Sequence, residues 1–209
     1  MINTVEIFYS FESPYSYLAI DQLARLEEEY DARVLWHPYS ARAAGQGYQT
    51  TPFSGPSASS YAGYVREDIV RLAKKLDLPL VLRQDWPEQQ FDPERSVRGA
   101  LVAQDEGVLY EYNIKMFHRW WGEAQDPNDP TFLAELCDDL DIDSHKFTSR
   151  INTSDVRERV RGIFKRGQKL GIFDVPMIMI GEERFFGPDR ISFVHDRLTE
   201  LGLKKSRQM

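Results

Sequence analysis

The chain has 209 residues, of which 42% are hydrophobic and 28% are charged, proportions typical of a globular protein. Its 33 acidic and 26 basic residues give a net charge of −7, and the dispersed basic residues argue against a nucleic-acid-binding surface. The amino terminus lacks the basic start and apolar run of a signal peptide, and no apolar run approaches the ~18 residues that span a membrane. We therefore expect a cytoplasmic protein without nucleic-acid or membrane partners.

The first forty residues carry the pattern of a strand, a helix and a second strand. Residues 5–11 are apolar, β-branched and aromatic, as in a buried strand. Ser13 is a favourable N-cap, Pro14 suits the first helical position, and an apolar stripe follows as far as Tyr30. Residues 33–37 then form a short second strand. Such a unit predicts two parallel strands joined by a right-handed crossover.

The middle of the chain predicts a loop followed only by helices. Residues 38–60 are rich in Gly, Pro, Ser, Ala and Thr, which is typical of a long functional or mobile loop. Apolar residues then recur at helical spacing over 61–76, which we predict to be a helix. Shorter apolar stripes predict further helices that begin near residues 92, 112, 130 and 153.

The end of the chain changes from helical to strand periodicity. Residues 176–180 and 183–186 read as two strands, and Gly181-Glu182 between them predicts an antiparallel hairpin. Gly187-Pro188 starts the last helix, which Gly202 ends. The complete order is therefore βαβ, four or five helices, then ββα.

This order predicts an α/β protein with a thioredoxin-like fold. A βαβ half and a ββα half would form one four-stranded mixed sheet that an all-helical insertion interrupts. We predict a thioredoxin-like domain from residues 1–40 and 172–209, an inserted helical domain at 60–171, and a connecting loop at 41–59. In this architecture a thiolate binds where the first strand meets the first helix, because the helix N-terminus offers free N–H donors and a positive dipole end.

Four segments of the sequence fit one family pattern. They are FYSFESPYSYLA at 8–19, WWGE at 120–123, FDVP at 173–176 and GEERFFGPDR at 181–190. In this order and spacing they resemble the 2-hydroxychromene-2-carboxylate isomerases and the kappa-class glutathione transferases, a branch of the DsbA-like thioredoxin superfamily. The resemblance implies reduced glutathione as cofactor and leans toward a homodimer.

The resemblance also implies which residues form the site. Ser13 would be catalytic and would donate a hydrogen bond to the glutathione sulfur, which favours the thiolate. Val175, ahead of a cis Pro176, would pair with the cysteinyl part of glutathione like an added strand. Asp189 and Arg190 would hold its γ-glutamyl end. The implied glutathione-binding residues are Ser16, Val175, Pro176, Asp189 and Arg190.

Two of these assignments have a structural alternative. Pro176 also suits the first position of an ordinary strand, and Asp189 with Arg190 also suits plain capping of a helix start. The chain departs from the family at Tyr61, where a lysine is common, and in its longer Gly- and Ser-containing loop. Arg42 or Arg66 are our candidates to replace that lysine.

In the isomerase mechanism that the resemblance implies, a thiolate adds reversibly to an unsaturated keto acid, the former double bond rotates, and elimination follows. The substrate would be a small aromatic or unsaturated carboxylate. A kappa-like transferase would keep the adduct, and a thiol- or peptide-binding module would catalyse neither step.

Cys137 is the only cysteine, so dithiol redox chemistry and a thiolate zinc site are excluded within one chain. It lies on an apolar helix face, where we expect a buried structural thiol, and the four histidines lack the spacing of metal ligands.

Overall fold

One mixed sheet of four strands organises the fold. The computed structural model describes residues 3–41, 43, 56–83 and 93–206. The strand order is β2-β1-β3-β4, in which β1 runs parallel to β2 and antiparallel to β3. The strands are β1 (Thr4–Tyr9), β2 (Arg33–Pro38), β3 (Met177–Ile180) and β4 (Glu183–Phe186). The predicted thioredoxin-like α/β fold is confirmed.

Helices lie between the strands and after them, and six of the described α-helices lie between β2 and β3. The α-helices are α1 (Pro14–Ala24), α2 (Leu26–Glu29), α3 (Pro56–Leu76), α4 (Pro93–Asp105), α5 (Leu109–Phe117), α6 (Phe132–Asp138), α7 (Ser144–Ile151), α8 (Ser154–Lys169) and α9 (Ile191–Glu200). A π-helical turn (His118–Gly122) continues α5, and a short 3₁₀ helix (Pro188–Arg190) precedes α9. The helical insertion is therefore confirmed, whereas the boundaries assigned to the two domains stay a prediction.

Three helix predictions are wrong in detail. The stripe that predicted one helix as far as Tyr30 spans two, because α1 ends at Ala24 and α2 begins at Leu26. The clearest predicted helix begins at Pro56 rather than at Tyr61. Helix α7 was not expected, since its sequence SHKFTSRI buries only Phe147 and Ile151. Most of the segment predicted as a loop at 41–59 lies outside the described residues, and Arg42 lies outside them too.

The sheet is buried on both faces, by cores of very different size. On one face a single apolar core, here called the first-face core, joins the sheet to α1, α9 and the insertion. It contains large buried aromatic side chains, among them Tyr9, Phe11, Tyr17, Phe117 and Trp121. On the other face a small group, here called the second-face cluster, consists of Phe8, Ile172, Val175, Met177 and Met179.

Helix α8 approaches this second face closely at Gly167. A Cβ atom at Gly167 would lie 2.4 Å from Cε2 of Tyr39, and the Tyr39 ring stacks on Phe164 with 5.2 Å between ring centroids. Only a residue without a side chain fits there. Within the described parts of the chain, no helix is both long and apolar enough to cross a membrane.

Candidate active site

The turn from β1 into α1 holds Ser13 at the start of the helix. Ser13 has the extended backbone of an N-cap, with φ −94° and ψ 114°, and its Oγ accepts the Ser16 N–H at 3.2 Å. Its own N–H donates to the Ser10 carbonyl at 3.1 Å, and Pro14 occupies the first helical position. The half-buried hydroxyl is thus fixed at the positive end of the α1 dipole.

Residues from the far end of the chain complete the site. The Ser13 hydroxyl donates a hydrogen bond to the carbonyl oxygen of Val175 at 3.1 Å. The Val175–Pro176 peptide bond is cis, in agreement with the sequence analysis. The Gly187 N–H donates to the Pro176 carbonyl at 3.0 Å, and Gly187 has a φ of +97°, which favours glycine. Three of the predicted site residues, Ser13, Val175 and Pro176, therefore lie together.

The N–H of Val175 is also engaged within the chain. It donates to Oδ1 of the preceding residue, Asp174, at 2.8 Å. Asp174 is exposed, but the protein around its carboxyl still removes enough water to raise the pKa of that carboxyl, while the Val175 N–H lowers it. No residue pattern in the sequence marks Asp174, because sequence alone does not show where one carboxylate points.

Ser16 lies behind Ser13 rather than beside a ligand. Its side chain is buried, and its Oγ accepts the N–H of Ser10 at 3.3 Å. Its backbone N–H is the donor that holds Ser13 Oγ. Contact between Ser16 and a ligand stays a prediction, and the buried side chain favours a supporting role.

Asp189 and Arg190 form an ion pair with each other. Arg190 Nη1 lies 2.6 Å from Asp189 Oδ2, and about half of each side chain is exposed. Their 3₁₀ helix packs against α1. Among the described residues, no hydrogen bond joins either side chain to Ser13 or Val175, so their contact with glutathione stays a prediction.

Tyrosines from α1 and α3 interact with the carboxylates of Asp68 and Asp174. Tyr15 donates its hydroxyl proton to Asp68 Oδ2 at 3.0 Å, and Tyr64 does so to Asp68 Oδ1 at 3.5 Å. Burial, followed by the charge of nearby Asp174, raises the pKa of Tyr61. A phenol whose pKa is raised partly by the charge of Asp174 thus stands at the position where the resemblance implies a lysine.

Two aromatic features near the site were not predicted. Trp121, in the π-helical turn, donates its indole N–H to the backbone carbonyl of Phe11 at 2.9 Å. It thereby holds the turn that carries Ser13. Phe173 is 71% exposed, and its ring centroid lies 5.2 Å from that of Phe186.

The lone cysteine takes no part in this site. Cys137 is buried in α6, and burial raises the pKa of its thiol to about 11, which disfavours a reactive thiolate. In the described part of the chain, no group of three or more His, Cys, Asp or Glu residues is placed to hold a metal ion.

These features define the class of protein. A family model described as a DSBA-like thioredoxin domain matches residues 4–199, so the chain belongs to the DsbA-like thioredoxin family. It is similar to a 2-hydroxychromene-2-carboxylate isomerase of Sphingobium xenophagum, with 23% identity over 96% of this chain and 100% of that protein. The predicted resemblance to this group is confirmed.

Solved structures agree at the level of the fold. A 2-hydroxychromene-2-carboxylate isomerase structure has a TM-score of 0.79 and 23% identity, and covers 95% of this chain and 96% of its own. The cytosolic disulfide reductase DsbM of Pseudomonas aeruginosa, solved with GSH, has a TM-score of 0.65 and 16% identity, and covers 94% of this chain and 99% of its own.

Proposed function

We propose that this protein is a glutathione-dependent isomerase that acts on aromatic, unsaturated carboxylates of the 2-hydroxychromene-2-carboxylate type. The observation that carries the proposal is the Ser13 hydroxyl at the α1 N-terminus, 3.1 Å from the carbonyl oxygen of the residue before the cis-proline. The relatives that bear this isomerase name cover nearly the whole chain. We place the protein in the cytoplasm, where thiols are kept reduced.

The residues present fit a thiol ligand. Ser13 would hold the sulfur, the backbone of Val175 would pair with the cysteinyl unit, and Asp189 with Arg190 would bind the γ-glutamyl end. When bound, glutathione would supply the thiolate nucleophile that adds to the unsaturated keto acid and is eliminated after bond rotation.

The chain's own groups would favour that thiolate by position. The Ser13 hydroxyl rotates from Val175 toward the sulfur, while the Ser16 N–H keeps its oxygen in place at 3.2 Å. Together with the α1 dipole this donor lowers the pKa of a thiol at the site. The exposed rings of Phe173 and Phe186 lie next to the Val175 and Gly187 segments, where the ring of an aromatic substrate would stack on them.

A thiol-binding module without catalysis is the second candidate. The engagement of the Val175 N–H by Asp174 and the phenol of Tyr61 in place of a lysine both favour weaker glutathione binding. A kappa-like transferase would use the same groups and keep the adduct. Dithiol exchange is excluded, because the chain has one cysteine.

The test combines calorimetric titration with an assay of 2-hydroxychromene-2-carboxylate isomerisation. We expect reduced glutathione to bind the wild-type protein and to be required for turnover. Ser13→Ala should lower turnover by about 10²-fold or more, as the loss of one donor to a developing charge does in other enzymes. S-methyl glutathione, which forms no thiolate, should support no turnover.

Ser149→Ala is the matched control, because Ser149 also donates its hydroxyl proton to a backbone carbonyl, that of His145 at 2.9 Å, but does so on α7. It should leave binding and turnover unchanged. Absence of glutathione binding would refute the glutathione proposal. Binding without turnover of this substrate would favour the module or a transferase.

A further inference from the structure

The edge of the chain at Val175 is closed by its own neighbours. Its N–H donates to Asp174 Oδ1 at 2.8 Å, and its carbonyl accepts the Ser13 hydroxyl proton at 3.1 Å. A peptide that binds as an added strand pairs with these same two backbone groups. A peptide-like thiol therefore has to displace both contacts.

The two displacements differ in their cost. The Ser13 hydroxyl can rotate to a ligand sulfur, so it exchanges one acceptor for another. The Asp174 carboxylate loses a charge-assisted hydrogen bond, which is stronger than a neutral one. Because its donor is the very N–H that the ligand takes, the exposed carboxylate exchanges that hydrogen bond only for contact with water.

The charge of Asp174 acts in the same direction. In the described part of the chain, no lysine or arginine forms an ion pair with Asp174, and the charge of Asp174 raises the pKa of the nearby Tyr61 phenol. A ligand carboxylate brought to the Val175 N–H therefore meets the negative charge of Asp174 at short range, where repulsion is strong.

We propose that Asp174 is a specificity-determining residue that closes the Val175 edge against anionic thiols and favours thiols without carboxylate groups. This inference rests on the proposed function, because it concerns the ligand of the same site. Glutathione then binds less tightly than Ser13 and the cis-proline edge alone would allow. Uncharged or cationic thiols are the better ligands of the wild-type protein.

The experiment is a calorimetric titration of the full chain with reduced glutathione and with its diethyl ester. Asp174→Asn keeps an oxygen acceptor for the Val175 N–H but removes the charge, whereas Asp174→Ala removes both. We expect Asp174→Ala to bind glutathione about tenfold more tightly than the wild type, with Asp174→Asn between them. The wild type should prefer the ester, and Asp174→Ala should lose that preference.

Asp196→Asn makes the same charge change at an exposed position of α9 and should leave both affinities unchanged. A second measurement needs no ligand: hydrogen exchange at the Val175 amide should be slower in the wild type than in Asp174→Ala. Rapid exchange in the wild type would overturn the inference.

The remaining outcomes separate this inference from the proposed function. Equal glutathione affinities in the wild type and both Asp174 variants would overturn the inference and leave glutathione binding intact. Weaker binding by Asp174→Ala would also overturn it, since Asp174 would then be a ligand contact. No binding of either thiol by any variant would refute the proposed function, and the inference with it.

Discussion

The two sides of the site are anchored in cores of unequal size. Ser13 follows Phe11, which is buried in the first-face core with its ring centroid 5.5 Å from that of Tyr9 and 4.9 Å from that of Phe117. Val175 belongs to the second-face cluster, which has five buried members. The hydrogen bond between Ser13 and Val175 thus joins segments that are held on opposite faces of the sheet.

This difference indicates how geometry at the site is maintained. Many aromatic contacts and the Trp121 indole fix the Ser13 side, so its position depends on the helical insertion as well as on the sheet. The Val175 side depends on a small cluster and on how closely α8 approaches it. Weakening either core should therefore disturb the same hydrogen bond by a different route.

Trp121→Phe should have the largest effect, because it removes the donor to the Phe11 carbonyl and leaves that oxygen without this partner. We expect a loss of about 1–3 kcal/mol in the free energy of unfolding. Because the Ser13 turn loses its anchor, affinity for glutathione should fall as well. Urea denaturation and calorimetric titration measure the two effects.

Tyr30→Phe is the control for Trp121→Phe. It removes a hydroxyl that lies 3.0 Å from His195 Nδ1, outside the Ser13 turn. We expect it to lower stability while glutathione affinity stays at the wild-type value. An unchanged affinity in Trp121→Phe would show that the indole stabilises the fold without positioning the site.

The sequence predicts the local parts of this site better than its long-range contacts. Ser13 before Pro14 is a helix start by its own chemistry, and the hairpin and Gly187 turn follow from residues that are neighbours in the chain. The Trp121 contact joins residues 110 positions apart, and no periodicity indicates which carbonyl a buried indole will meet. Asp174 is a neighbour of Val175, but its effect depends on a rotamer and on Tyr61 across the site.

Gly167→Ala should have the next largest effect and tests the second-face side. The added methyl group would meet the Tyr39 ring at 2.4 Å, and the ring is held by its stacking on Phe164. Overpacking costs about 1–3 kcal/mol, which exceeds the roughly 1 kcal/mol that alanine gains over glycine in a helix. We expect a net loss of stability in thermal denaturation.

Gly162→Ala on the same helix is the matched control, because no atom lies within 4 Å of its added Cβ. It should raise stability by roughly 0.5–1 kcal/mol. Stability changes of opposite sign in the two variants would confirm that the contact between α8 and Tyr39 limits the size of the side chain at position 167. A stabilising Gly167→Ala would instead mean that the ring moves aside freely.

Glu6→Gln should have the smallest effect and a distinctive pH dependence. Glu6 lies on the second face, where Arg166 Nη2 donates to it at 2.8 Å and His37 Nε2 lies 2.8 Å away. The hydrogen bond from Arg166 is the main cause that lowers the pKa of Glu6 below its usual value of 4.5. The contribution of Glu6 to the free energy of unfolding is therefore fully present above pH 4.5. It is lost as the pH falls through the lower pKa that Glu6 has in the folded state.

We expect Glu6→Gln to lower stability at neutral pH by about 1 kcal/mol or less, since the partner Arg166 is half exposed. The variant and the wild type should converge as Glu6 becomes protonated below pH 4.5. His37 affects stability at higher pH, because burial lowers its pKa below the usual 6.5. The contribution of His37 to the free energy of unfolding therefore begins to fall as the pH drops through 6.5 in both proteins. Glu182→Gln, at the exposed hairpin turn, should show no such convergence in urea denaturation at stepped pH. A constant difference between Glu6→Gln and wild type at every pH would mean that the lost contact is packing rather than charge.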